Sequence, residues 1–239
     1  FPQEARAESL LRADLRAGGI VQKTGVIFDM DGVLVLSEQA HWESWQAAAK
    51  GRGVEISYDV FLSCFGRINA DCIAIMFGAD IPADESARIA DEKEMAFREI
   101  VRRHVPLAPG TVDLLKRLRE LGIGLAVGSS GPKENVELIL GAGAIRQYFD
   151  AVVHGGEVKR GKPAPDVFLL AAERLGIPAR ACAVIEDAPA GIRAAVAAEM
   201  TPIGVATTHD AKELKEAGAI VVYADLKSIP VESLVKRPG

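Results

Sequence analysis

What this sequence lacks narrows it first. Of its 239 residues only three are cysteines, Cys64, Cys72 and Cys182. They are widely spaced and form no CxxC pair, so neither a disulfide framework nor a cysteine zinc site is expected; they read as reduced thiols of a cytoplasmic protein. No uninterrupted apolar run reaches the roughly 18 residues of a spanning helix, which argues against a membrane protein. Positive charge is not in excess either. The 28 Lys and Arg against 33 Asp and Glu leave a formal net charge of −5, so no general attraction to nucleic acid or to an anionic membrane is expected. Residues 1–22 mix acids and arginines into their apolar positions and so lack the clean apolar middle of a secretory signal. With Phe1 in place of methionine, this end reads as that of a trimmed chain, a short helix or frayed extension ending at Gly18-Gly19. What is present is an ordinary globular composition, 49% hydrophobic and 26% charged, in a chain long enough to bury a sizeable core.

The apolar, β-prone residues Val26 to Phe28 stop abruptly at Asp29-Met30-Asp31-Gly32, which reads as a buried strand running into a loop. Similar runs recur at 123–128, 151–153, 181–185, 203–206 and 220–223. Helical spacing fills the intervals. In PGTVDLLKRLRELG, Val112, Leu115, Leu118 and Leu121 recur at three-residue steps between Pro109 and Gly122. In PAPDVFLLAAERLG, prolines and Asp166 open a helix that Gly176 closes. Alternating strands and helices imply a parallel sheet covered on both faces, an α/β fold with a Rossmann-like core. From about Ser37 to Val105 no convincing strand is found, so a helical subdomain is expected after the first strand. Residues 1–36 and 106–239 are then the core and 37–105 a cap over the strand ends, where open α/β sheets bind ligands.

Four strand ends carry reactive side chains. Asp29 and Asp31 close the first strand, with Gly32 permitting a tight turn; both can point into one crevice, and a hard cation such as Mg²⁺ would relieve their repulsion. In AVGSSGPKENV, the hydroxyls and N–H groups of Ser129-Ser130-Gly131 can cradle a phosphoryl group at a strand-to-helix turn, or the serines cap the helix. In EVKRGKPAPDVF, Lys162 emerges from a loop stiffened by Pro163 and Pro165, a fixed counter-charge for phosphate or a solvated surface lysine. In AVIEDAPAGIRAA, Glu186 and Asp187 either cap the next helix or complete an ion site with Asp29 and Asp31. The four together, in this order on one sheet edge, make a phosphoryl-transfer site. LGAGAIRQY lacks the spacing of a dinucleotide loop. His104, His154 and His209 show no metal-ligand spacing and are set apart from the chemistry.

From about Val26 to Pro202, with GKPAPD and VIEDAPAGIRAA the most specific segments, the sequence resembles the haloacid dehalogenase superfamily, specifically its capped phosphatases and sugar-phosphate mutases. The resemblance implies Asp29 as the nucleophile that becomes an aspartyl phosphate. Asp31 would be the general acid and base, its main-chain carbonyl also on magnesium. Ser129 would bind the phosphoryl group, Lys162 neutralise it, Asp187 ligate the metal and Glu186 attend the metal's waters. The second aspartate argues against dehalogenase chemistry. His41 in SEQAHWESW and Lys93 match positions in β-phosphoglucomutase, although His41 and Trp45 share a helix face and packing is the plainer reading. The arginine expected for a second phosphate aligns with Asn69, Arg67 lying two residues earlier. Gly131, Leu36 and Glu199 are further departures, Glu199 standing where a glycine commonly ends a helix.

The expectation is a Mg²⁺-dependent phosphatase of a small phosphorylated metabolite, with a phosphosugar mutase and a non-catalytic phosphate binder as alternatives. Specificity is expected on the cap, at His41, Arg67, Asn69 and Lys93. A monomer is adequate and a dimer remains open.

Overall fold

In the computed structural model, residues 24–234 are described; the expected helix or extension over residues 1–22 lies outside them. The strand β1 (Gly25–Phe28) is followed by four helices, α1 (Glu38–Lys50), α2 (Tyr58–Cys64), α3 (Asn69–Met76) and α4 (Ala83–Arg103). Alternation then begins: α5 (Thr111–Glu120), β2 (Gly124–Gly128), α6 (Lys133–Ala142), β3 (Ala151–Val153), α7 (Asp166–Leu175) and β4 (Cys182–Glu186). The chain continues through α8 (Pro189–Ala197), β5 (Thr201–Val205), α9 (Ala211–Glu216), β6 (Val221–Tyr223) and α10 (Val231–Leu234).

All six strands are parallel, in the order β3-β2-β1-β4-β5-β6. The α/β expectation holds. β1 lies at the switch point, where the chain first builds outward to β2 and β3 and then returns to build on the other side, and such a point opens a crevice at the strand ends. Successive β1 residues face opposite layers. Val26 and Phe28 pack with Leu115, Leu118, Ile139 and Leu140 of α5 and α6, whereas Ile27 packs with Phe168 and Ala171 of α7. The strand is therefore apolar at every position, as a sheet covered on both faces requires.

The expected strand at 203–206 begins earlier, at Thr201, and contains Pro202. Pro202 cannot donate to a ladder, yet its carbonyl accepts the N–H of Ile220 at 3.0 Å. The missing donor therefore faces the β6 side just before that strand starts, where no ladder bond is lost.

Helices α1 to α4 carry an apolar cluster of their own. Trp45, Ala48 and Ala49 of α1 meet Phe61, Ile73, Met76 and Ile89, while the ends of α1 and α4, through Ala40, Phe97 and Val101, join the core beside the sheet.

Candidate active site

The register of the sheet builds the site. Phe28 is level with Val127 on one side and with Ile185 on the other, so the residues just beyond these ends, Asp29, Ser129, Glu186 and Asp187, emerge side by side. Asp29 N–H still donates to Ile185 O at 3.0 Å, which fixes its backbone as an extension of β1. The chain then turns sharply. Met30 O accepts the N–H groups of Leu34 and Val35 at 2.9 and 3.1 Å, and Gly32 sits at φ 82°, a conformation glycine adopts without a Cβ penalty. Its Cα also lies so close to Asp187 that any Cβ would overlap Asp187 Oδ2.

Lys162 reaches into this crevice from the loop after β3 and is fully buried. Its Nζ donates to Asp29 Oδ1 and to Glu186 Oε1, each at 2.7 Å, and sits 4.7 Å above the Phe168 ring. Burial opposes its charge, but the carboxylates of Asp29 and Glu186 outweigh that and push its pKa up. The other Glu186 oxygen, Oε2, accepts the N–H groups of Asp187 and Ala188, both at 2.9 Å. Glu186 is thus saturated by a cation and a helix N-terminus. Gly191 makes room for it, since a Cβ there would overlap Glu186 Oε1.

Asp187 is the opposite case. It is fully buried, and neither carboxylate oxygen has a hydrogen-bond partner. One oxygen each of Asp29, Glu186 and Asp187 lie within 4.8 Å of one another. Three buried carboxylates face one ammonium, an arrangement whose charge calls for a further cation. Burial pushes Asp29 up to about 7, with Glu186 and Asp31 adding to the rise against the pull of Lys162. Burial, then Glu186 and Asp29, likewise push Asp187 well above the carboxylate range. The donor set, hard oxygens with an orphaned pair, fits Mg²⁺.

On the β2 side, Ser129 is buried, and its Oγ accepts the Gly131 N–H at 3.0 Å. Ser130, expected to meet phosphate, lines the same pocket as Asp29 and Asp31 and donates its hydroxyl to Gly66 O at 2.7 Å, tying the α2–α3 loop to the sheet edge. The bare Cα of Gly131 faces the site: a Cβ there would stand 3.3 Å from Ser129 Oγ.

His41, Arg67, Asn69 and Lys93 all line the one pocket that also holds Asp29 and Asp31. Asp31 Oδ1 accepts Ser37 Oγ at 2.5 Å and lies 3.0 Å from His41 Nε2. Burial alone would raise Asp31, but His41, Ser37 and Lys93 hold it below its ordinary value. His41 therefore does more than pack, although it also stacks on Phe97 with ring centres 4.0 Å apart. Its other nitrogen, Nδ1, is 2.9 Å from Lys93 Nζ. Asn69 turns its amide to Glu94 Oε1 at 2.8 Å, whereas Arg67 Nε is buried without a partner.

Several residues at the site carried no signal in the sequence. Glu94 and Asn135 are buried polar groups bonded to each other. Thr207 Oγ1 donates to Gly32 O at 2.5 Å. His209, set apart above, places Nδ1 3.1 Å from Asp187 O. Contacts between distant segments leave no local pattern to read.

A family model described as a haloacid dehalogenase-like hydrolase matches residues 23–199. The chain belongs to this family. It is 32% identical over 203 residues to a phosphorylated carbohydrates phosphatase of Thermotoga maritima, covering 82% of this chain and 92% of that protein. It is 33% identical over 218 residues, 89% of this chain, to the chloroplastic protein SUPPRESSOR OF QUENCHING 1 of Arabidopsis thaliana, and spans only 20% of that protein's length. Among solved structures, a β-phosphoglucomutase from Clostridium difficile superposes with a TM-score of 0.81 at 26% identity, covering 88% of this chain and 95% of that one. Among the described residues no helix is long and apolar enough to cross a membrane.

Proposed function

We propose that this haloacid dehalogenase-like protein is a Mg²⁺-dependent phosphatase of a small phosphorylated, sugar-like metabolite. Residues 37–105 act as the cap that covers the ligand. The observation that carries the reading is Lys162 bridging Asp29 and Glu186 beside the unpartnered carboxylate of Asp187.

Lys162 holds Asp29 Oδ1, which leaves Oδ2 as the attacking atom. Asp29 attacks phosphorus in line with the departing oxygen, and Asp31 gives that oxygen a proton as the alcohol leaves. Asp31 then takes a proton from water, which attacks the aspartyl phosphate, releasing inorganic phosphate and restoring Asp29. Ser129 and the N–H groups of its turn receive the phosphoryl oxygens, and Lys162 offsets the charge that gathers there. Asp29, Asp187 and the Asp31 carbonyl would hold Mg²⁺ with Glu186 alongside, and the bound ion supplies positive charge against those same oxygens. On the cap, His41 and Lys93 face Asp31, while Arg67 and Asn69 meet the rest of the ligand. The phosphatase among the relatives supports a carbohydrate phosphate as substrate.

A phosphosugar mutase is the second reading, favoured by the Lys93–His41–Asp31 line and by the mutase structure that the chain resembles. Against it, no cation stands at Asn69, and a mutase must grip two phosphates in turn. A non-catalytic binder is disfavoured by the intact set of carboxylates and lysine.

The test is phosphate release from a panel of sugar phosphates with Mg²⁺, run beside Asp29→Asn. The proposal expects release by the wild type and none above background by the variant. Full release by Asp29→Asn would overturn the nucleophile, and isomerised sugar phosphate with almost no free phosphate would establish the mutase.

A further inference from the structure

A line of polar groups, buried at Asn135, Glu94 and Lys93 and half-buried at Arg98 and His41, links α6 and α4 to Asp31. Arg98 Nη1 donates to Asn135 Oδ1 at 3.0 Å, and Asn135 Nδ2 in turn donates to Glu94 Oε2. Glu94 Oε1 accepts Lys93 Nζ at 2.8 Å. From there Lys93 reaches His41 Nδ1, and His41 Nε2 reaches Asp31, at 2.9 and 3.0 Å. Glu94, Lys93 and Asn135 are each at most 5% exposed, so the bonds among these three have no water as an easy substitute.

The chemistry of the line fixes a proton. Lys93 lies against a carboxylate and 5.2 Å from the rings of both Trp45 and Phe97, an environment that suits an ammonium. An ammonium only donates, so His41 Nδ1 must accept. The imidazole hydrogen is then on Nε2, facing Asp31 Oδ1. Stacking on Phe97 and edge contact with Phe65 hold the ring in that plane. Asn135 belongs to α6, beside the sheet, and Glu94 to α4, on the cap side. Their bond therefore forms only when the two sides are together. Three other contacts mark the same closure: Ser130 Oγ with Gly66 O at 2.7 Å, Gly66 against Ala188, and Gly161 against Ile68.

We propose that Glu94 and Asn135 are positioning residues: docking α4 onto α6 seats Lys93 against His41 Nδ1, which places the His41 hydrogen on Nε2 and aims it at Asp31. The inference rests on the reading of Asp31 as acid and base.

The test is nitrogen NMR of the full-length protein labelled at histidine, with the His41 signals assigned by their loss in His41→Gln. Wild type is expected to show Nε2 protonated and Nδ1 bare. In Asn135→Ala, and in the isosteric Glu94→Gln, both resonances move toward the mixture of tautomers of free imidazole. In each variant kcat falls about tenfold with KM changed less than about twofold. Wild-type His41 signals in both variants would overturn the proposal. Should Asp31→Asn instead release phosphate at the wild-type rate, the functional reading falls while the tautomer result stands on its own.

Discussion

The Lys162 ammonium and the Asp29 carboxylate lie 2.7 Å apart in a crevice from which both are almost wholly excluded from solvent. Neither can be removed quietly. Lys162→Met leaves Asp29, Glu186 and Asp187 facing one another without a cation. Phosphate release is expected to fall by on the order of 10²-fold or more. Without added metal the variant is expected to lose about 3–5 kcal/mol near pH 8, and less in acid as the carboxylates protonate. Thermal melts in chelator at two pH values, beside a phosphate assay, check both.

Asp29 gives the metal-free protein a pH dependence of known sign. Its carboxyl is pushed up to about 7, by burial first and then by its acidic neighbours, so the protonated form is the one the fold favours. That stabilisation is complete below about pH 4, the ordinary carboxylate value, and is lost as pH rises through the folded-state value. Asp29→Asn removes the titrating group. The loss of unfolding free energy between acid and neutral pH should therefore be smaller in the variant, by on the order of a few kcal/mol at most. Parallel curves for the two proteins would contradict this.

Two glycines are as exposed to test as any acid. A methyl group at Gly191 would overlap Glu186 Oε1, and one at Gly32 would overlap Asp187 Oδ2. Gly191→Ala and Gly32→Ala are expected to weaken Mg²⁺ binding by about 10- to 100-fold, read by titration calorimetry, although neither removes a ligand. Of the two, Gly32→Ala should also lose stability, because its φ of 82° is strained for any residue with a Cβ.

Glu199 is exposed and sits at φ 57°, one residue past the Ala198 C-cap of α8. A left-handed residue there costs a non-glycine about 1 kcal/mol. Glu199→Gly is expected to raise the melting temperature by about 2–4 °C with phosphate release unchanged. An unaltered midpoint would mean that the entropy of the added glycine cancels the relief.

Strand ends were legible because burial on both faces forces an uninterrupted apolar run, and such a run stops visibly at Asp29, Ser129 and Glu186. Their order along the chain then told which side chains share an edge. The interval from Ser37 to Val105 read as helical for the complementary reason, that glycines and a proline punctuate it without any β-prone run. The start of β5 at Thr201 was not legible, since whether the missing N–H of Pro202 matters depends on which neighbour it faces. Glu94 was invisible: in DEKEMAFREI it looks like one more acid on a solvated helix face, and its partner Asn135 is 41 residues away. The bond from the Ser130 hydroxyl to the Gly66 carbonyl was equally invisible, because nothing local announces that partner.

The apolar cluster of Trp45, Phe61, Ile73, Met76 and Ile89 belongs wholly to the helices between β1 and α5. A wall that coheres through its own interior can be rewritten, residue by residue, without loosening the strands that carry Asp29. On the proposed reading of residues 37–105 as the cap, a library confined to positions 69–76 would vary the wall of the pocket while leaving the strand that carries Asp29 in place.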